Sequence, residues 1–243
     1  AISWILFFSG KEVISNTLLS LGENNSSAMG NKQEPLIFIY HSHNHESFIP
    51  EIQVKEPKDA FHESKNITLV GESLRRSLKE KNIYAIHDDR DVMGTMQERG
   101  LHFNKSYVVS RESLKSVLEN NKSIKMTFDI HRDSTARNDT TVNIKGKDYA
   151  KIAFILSDTS YKHEENKKFA DLLHQKIEEN YPGLSKGVIV KKGSKTEQST
   201  YNQDLLDESV LLNIGGVENT LEEENRTVDV FAEVIEEIIE TRK

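Results

Sequence analysis

Three histidines and a glutamate, His41, His43, His45 and Glu46, fall within six residues, directly after the apolar run Leu36-Ile-Phe-Ile-Tyr40. Imidazole nitrogens and a carboxylate oxygen at this density make a ligand set suited to zinc. If the chain stays extended, period-two alternation turns His41, His43 and His45 to one side. All three cannot then bind one tetrahedral ion together with a distant ligand. A second cluster, Asp129-Ile-His131-Arg132-Asp133-Ser134, again follows an apolar run. A first-strand histidine, Glu46 and His131 would form a two-histidine, one-carboxylate site with a fourth position left for water, as catalytic rather than structural zinc sites have. Asp129 or Asp133 would orient an imidazole by accepting its free N–H. His62 and Glu63, just before the first long helical pattern, are placed to reach the same face, whereas His87, His102, His163 and His174 read as ordinary surface or core residues.

Positioning these groups requires strands that end together. Short apolar runs at Leu36–Tyr40, Ile83–Ile86, Met126–Ile130, Ile152–Leu156, Gly187–Val190 and Val210–Ile214 read as strands, several of them apolar on both faces as buried parallel strands are. Between them Ile67, Val70, Leu74 and Leu78, then Phe169, Leu172, Leu173 and Ile177, then Val228, Phe231, Ala232, Ile235, Ile238 and Ile239, keep helical spacing. A further helix is expected to start near Ser110, and Thr220 with Glu223 forms a capping box for the last one. The pattern predicts an α/β fold, a three-layer sandwich with a mainly parallel sheet of about six strands, with its site beyond the carboxyl ends of the strands.

The 243 residues are 36% apolar and 29% charged with 12 Gly and 4 Pro, a globular composition. Acidic residues outnumber basic ones, 39 to 32, for a net charge of −7, and no run of like charge offers a nucleic-acid footprint, so nucleic acid is not an expected partner. The absence of cysteine removes disulfides, a thiol nucleophile and thiolate metal sites. Residues 1–35 read as an apolar stub and a polar linker, and residues 36–243 as the catalytic domain. The opening Ala1–Phe8 stretch is far shorter than the roughly 20 residues a membrane span needs. It is either the remnant of an anchor or a small amphipathic helix.

Tyr40-His-Ser-His-Asn-His-Glu-Ser-Phe48 resembles the YHTHNxESF motif of the stage II sporulation protein P family, peptidoglycan hydrolases of engulfment in endospore-forming bacteria. Asn66–Leu74, Asp129–Ser134, Tyr201–Leu205 and Gly215–Glu223 resemble later motifs of that family in order, so the likeness spans about residues 36 to 240. The resemblance implies an amidase_3-like fold, a Zn2+ cofactor and cleavage of the amide between the muramic-acid lactyl group and L-alanine, with peptide cross-links as a further target. It also implies work on peptidoglycan at the extracytoplasmic face of the cell membrane, at the sporulation septum, from an N-terminal anchor and alongside sporulation proteins D and M. His131 matches the second histidine ligand of the wider amidases. His41 matches the first, with His43 as the alternative. Glu46 belongs to the family motif and is the favoured carboxylate ligand, in competition with Glu63.

One position departs from the family. Relatives carry a glutamate at the end of the last strand as the general base, where this chain has Asn213 in Leu211-Leu212-Asn213-Ile214-Gly215-Gly216. An amide hydrogen-bonds but has no useful basicity, so the substitution implies a slow or inactive hydrolase. Glu218 is expected in the turn before the last helix. A silent domain that binds peptidoglycan or a partner is the alternative reading, and an unrelated zinc peptidase is a third. The Tyr201–Asp204 segment could line the substrate groove, where Asp204 would favour basic peptide groups.

Overall fold

The computed structural model describes residues 33–193 and 197–242. The apolar stub and nearly all of the linker expected over residues 1–35 lie outside the described residues. In chain order the elements are β1 (Ile37–Tyr40), α1 (Ile49–Ile52), α2 (Thr68–Glu80), β2 (Ala85–His87), α3 (Val92–Glu98), α4 (Ser106–Asn120), β3 (Met126–Asp133), α5 (Arg137–Thr140), β4 (Thr141–Ile144), β5 (Lys147–Ala150), β6 (Ile152–Ser157), α6 (His163–Asn180), β7 (Ser185–Lys191), β8 (Glu208–Gly216) and α7 (Leu221–Glu240). All six strands expected from the apolar runs form one sheet, in the order β2-β1-β3-β8-β6-β7.

The sheet is parallel from β2 to β8, but β6 lies antiparallel to β8, and β7 runs parallel to β6. Connection chemistry explains the reversal. Parallel neighbours need a crossover of a dozen or more residues, usually a helix. After β3 the chain makes only the single turn of α5 and the β4–β5 hairpin before Ile152, so it re-enters the sheet heading back. The long helix α6 then supplies a true crossover to β7.

Alternation along each strand builds two cores. Ile37, Ile39, Phe128, Ile130, Phe154, Leu212 and Ile214 pack against Val70, Leu74 and Leu78 of α2, Phe169 and Leu173 of α6, and Val228, Phe231 and Ile235 of α7. Fully burying an aliphatic or aromatic side chain of this size stabilises by about 1.5–3 kcal/mol. On the opposite face Phe38 and Tyr40 meet Leu114 of α4, while Ala153, Ile155 and Leu211 gather around Tyr107. The helix α7 begins at the expected capping box, Thr220 accepting from Glu223 N–H and the Glu223 carboxylate accepting from Thr220 N–H. The helix expected near Ser110 begins four residues earlier, at Ser106, behind a short turn over Phe103–Lys105.

Strand parity also decides which residues reach the far face. Tyr40 of β1 lies opposite Asp129 of β3, so the next residue, His41, falls on the side of Ile130 and the helices α2 and α7. Gly71 of α2 lets that helix approach: a methyl group there would lie 2.4 Å from His41 Nε2 and 2.6 Å from His87 Nε2.

Candidate metal centre

The chain leaves the extended conformation at residues 42–45, where it turns. Parity therefore stops at Ser42, and the three imidazoles face three different ways instead of sharing one side. His41 remains buried beneath α2, its Nδ1 donating to Ile130 C=O (2.9 Å) and its Nε2 lying 3.0 Å from His87 Nε2. Burial and then the His87 ring push its pKa down to about 3. His45 points to Asp91, with Nε2 2.8 Å from Oδ1. Asn44 donates to the same carboxylate and accepts from Met93 N–H, which ties the turn to α3.

His43 turns the other way and meets Glu46 and His131. Ligand-type atoms of these three lie within 4.8 Å of one another, the one such group of three or more among the described residues. His131 Nδ1 is 3.4 Å from Glu46 Oε2, and His43 Nδ1 is 3.8 Å from Glu46 Oε1. Each imidazole is held from behind through its other nitrogen. His131 Nε2 lies 3.0 Å from Asp129 Oδ1 and 2.9 Å from Ser42 Oγ, while Ser42 donates to Asp129 through both its N–H and its hydroxyl. His43 Nε2 lies 2.8 Å from Ser106 Oγ, and its ring stacks on the exposed Phe103 with centroids 4.6 Å apart. Glu46 is fixed by Arg132 N–H at 3.0 Å, and the Arg132 guanidinium donates to the carbonyls of Ser47 and Ala60.

These neighbours set the charge. Burial works against a proton on His131, but the carboxylates of Asp129 and then Glu46 outweigh it and hold the pKa up at about 10. Burial and the adjacent His131 charge push His43 down to about 4. Burial also opposes ionisation of Glu46, yet the His131 and His43 rings and the Arg132 N–H hold its pKa below the usual carboxylate value. At neutral pH the cluster therefore carries one displaceable proton, on His131. Since metal ligands must be deprotonated, uptake of a divalent ion should release about one proton per ion, and the affinity should rise about tenfold per pH unit between about pH 5 and 9. Calorimetry in two buffers of different ionisation enthalpy reads this number directly, and a release near zero would contradict ligation through His131.

The other expected residues fall elsewhere. His62 and Glu63 are exposed, and His62 Nδ1 accepts the N–H groups of Ser64 and Lys65 within their own turn. Asp133 accepts from Lys186 rather than from an imidazole, so the orienting role falls to Asp129. Glu218 accepts from Arg137 N–H at the start of α5. Asn213 of β8 lies directly beside His131 of β3. With Glu46 and His131 it lines an open cleft of about 410 Å³, whose walls include Phe61, Tyr107, Tyr201 and Lys191. Of the Tyr201–Asp204 segment, Tyr201 lines this cleft. Asp204 does not face the cleft: its carboxylate is engaged by Arg111 at 2.5 and 2.7 Å. Ser42, Ser106 and Phe103 were not legible as site residues, because each reaches the cluster only through the turn at 42–45 or the early start of α4, and Lys191 joins the cleft wall only because β6, and β7 beside it, run back against β8.

A family model described as Stage II sporulation protein P matches residues 10–236. The Stage II sporulation protein P of Bacillus subtilis (strain 168) is 42% identical over 204 residues, 84% of this chain and 51% of that protein, so the chain spans about half the length of this curated relative. Among solved structures, the CwlD amidase from Clostridioides difficile, in complex with the GerS lipoprotein, superimposes with a TM-score of 0.50 at 13% identity, over 83% of this chain and 94% of that one. A metallo-carboxypeptidase from Burkholderia cenocepacia gives 0.50 at 9% identity, over 88% and 59%. At these identities the structural likeness concerns the fold.

Proposed function

The chain belongs to the stage II sporulation protein P family, and from that premise we propose that it is a zinc-dependent N-acetylmuramoyl-L-alanine amidase of the sporulation type, slowed by Asn213. The convergence of His43, Glu46 and His131 carries the reading. Two imidazoles and a carboxylate fit zinc, and the support behind each ring fits a metal ligand, because an imidazole whose far nitrogen is hydrogen-bonded presents the near one in a fixed direction. His43 replaces His41 as the favoured first-strand ligand.

When bound, zinc supplies Lewis-acid polarisation of the scissile carbonyl and activation of water. The chain's own residues do the rest. Asp129 holds the Nε2 proton of His131 and Ser106 holds Nε2 of His43, which leaves both Nδ1 atoms for the ion. Glu46 brings a full negative charge, kept in place by Arg132 N–H. Asn213 can orient a water or the carbonyl by hydrogen bonding, but it takes no proton. The family further suggests peptidoglycan as substrate, a sporulation-septum location outside the membrane, and sporulation proteins D and M as partners.

The test is zinc content together with products. Protein purified without chelators should hold about one zinc per chain, the stoichiometry of a three-ligand catalytic site. On purified sacculi it should release peptides with a free N-terminal L-alanine. Zinc well below one per chain counts against the metal site, and shortened cross-links without free peptides would make it a peptidase. Asn213 favours one second reading, a sacculus-binding domain without turnover; retained binding with no product, even from a variant with a restored base, would select it.

A further inference from the structure

The cleft does not end at the ligand cluster. From His131 and Asn213 it continues across β8, β6 and β7 over the side chains of Leu211, Ile155 and Ile189, which form one row across the sheet. Tyr107 of α4 and Tyr201 pack against Leu211 and Ile155, and beyond them Ile189 is only partly buried. At its far side stands Lys191, exposed, two residues beyond Ile189 on the same face of β7. The other charged groups on the walls are committed: Glu46 and His131 to each other, Arg132 to Ser47 and Ala60, and Asp133 to Lys186. Lys191 makes no ion pair among the described residues. Among the described side chains the cleft thus ends in a lysine without an ion-pair partner, beside an apolar floor.

We propose that this arm of the cleft is the subsite for the stem peptide, in which Lys191 receives a carboxylate carried three to four residues beyond the scissile amide. The assignment rests on the amidase reading above. It reverses the expectation that Asp204 would draw basic groups, because that carboxylate is spent on Arg111.

Sheet geometry gives the distance. Lys191 lies three strands from His131 and four residues along β7 from Gly187, which pairs with Ala153 and through it with Asn213. At about 4.8 Å per strand and about 3.3 Å per residue this is about 19 Å between backbones. A lysine reaches about 6 Å back, which leaves about 13 Å, or about four residues of extended peptide at about 3.4 Å each. The apolar row between suits the small side chains of such a peptide, and the ammonium suits its terminal carboxylate.

The test uses zinc-loaded protein with Asn213 in place and two probes: a muramoyl tetrapeptide with a free C-terminal carboxylate, and the same compound as its C-terminal carboxamide. Binding is read by calorimetry. The carboxylate should bind about 3- to 10-fold more tightly than the amide, the range expected of an ion pair in a partly screened cleft. Lys191→Met should abolish that preference and Lys191→Glu should invert it, with amide binding unchanged in the Met variant. Equal binding of both probes by the unaltered protein, no binding of either, or a preference that survives Lys191→Met would each overturn the proposal. Zinc stoichiometry, measured separately on the same samples, decides the amidase reading. A protein that holds zinc yet shows no carboxylate preference refutes the subsite alone.

Discussion

Replacing Asn213 by glutamate should raise the rate of amide hydrolysis by about 10²–10⁴-fold, the usual worth of a positioned general base. Asn213 lies beside His131 in the sheet and opens onto the same cleft as Glu46 and His131, so a carboxylate there stands next to the ligand cluster. Such a group takes the proton of the attacking water and returns it to the leaving nitrogen, which the asparagine amide cannot do. The cleft is open, so the extra methylene of glutamate meets no packed wall. Zinc affinity should change little, because position 213 is outside the ligand set. Peptide release from sacculi by the two proteins, loaded with equal zinc, is the measurement. Equal and brisk release would show that the base lies elsewhere in the cleft.

The second large effect separates two histidines that stand two residues apart. His43→Ala should weaken zinc binding by about 10²–10³-fold: structural zinc binding of about 10–16 kcal/mol divided over four ligands gives about 2.5–4 kcal/mol for each. His41→Gln should leave the affinity within about tenfold, since His41 faces α2 and contacts Ile130 and His87 rather than the cluster. The cost of His41→Gln should appear in stability, because its ring is fully buried between β3 and α2. Competition with a chromophoric chelator reads the affinities, and thermal melts read the stability. If His41→Gln abolished zinc binding while His43→Ala did not, the ligand assignment would be reversed.

The contrast between these two residues marks what was legible in the sequence. Apolar runs located all six strands of the sheet: β1, β3, β6 and β8 are buried on both faces, and the half-buried edge strands β2 and β7 still carry apolar runs. Helical spacing located the buried faces of α2, α6 and α7, and Thr220 with Glu223 marked the start of α7. The choice of His41 over His43 rested on the family likeness; the extended chain placed all three imidazoles on one side and could not separate them, and that extension ends at the turn over residues 42–45. The signal that tells them apart is register: once Tyr40 is set opposite Asp129, His41 must follow Ile130 to the other face. Register is a property of two strands far apart in sequence, so no reading of one segment contains it. Asp129 was recognisable as an orienting group, but Ser106 and Ser42 were not. A serine carries no signal until the imidazole it holds has been placed.

The richness of the segment from His41 to Glu46 also has an ordinary explanation beside its chemistry. Asn44 and His45 anchor the turn on Asp91, Ser42 braces Asp129, and His41 seats the strand under α2, so most of these polar residues keep two others in position.

Because β6 and β7 run opposite to β8, the turn that holds His43 and Glu46, with the end of β3 that holds His131, lies at one end of the sheet, and Lys191 lies toward the other. On the amidase reading, a change in β7 would alter how a bound peptide is held without touching His43, Glu46 or His131. On that reading the grip on a ligand and the chemistry done to it would be carried by separate halves of the sheet.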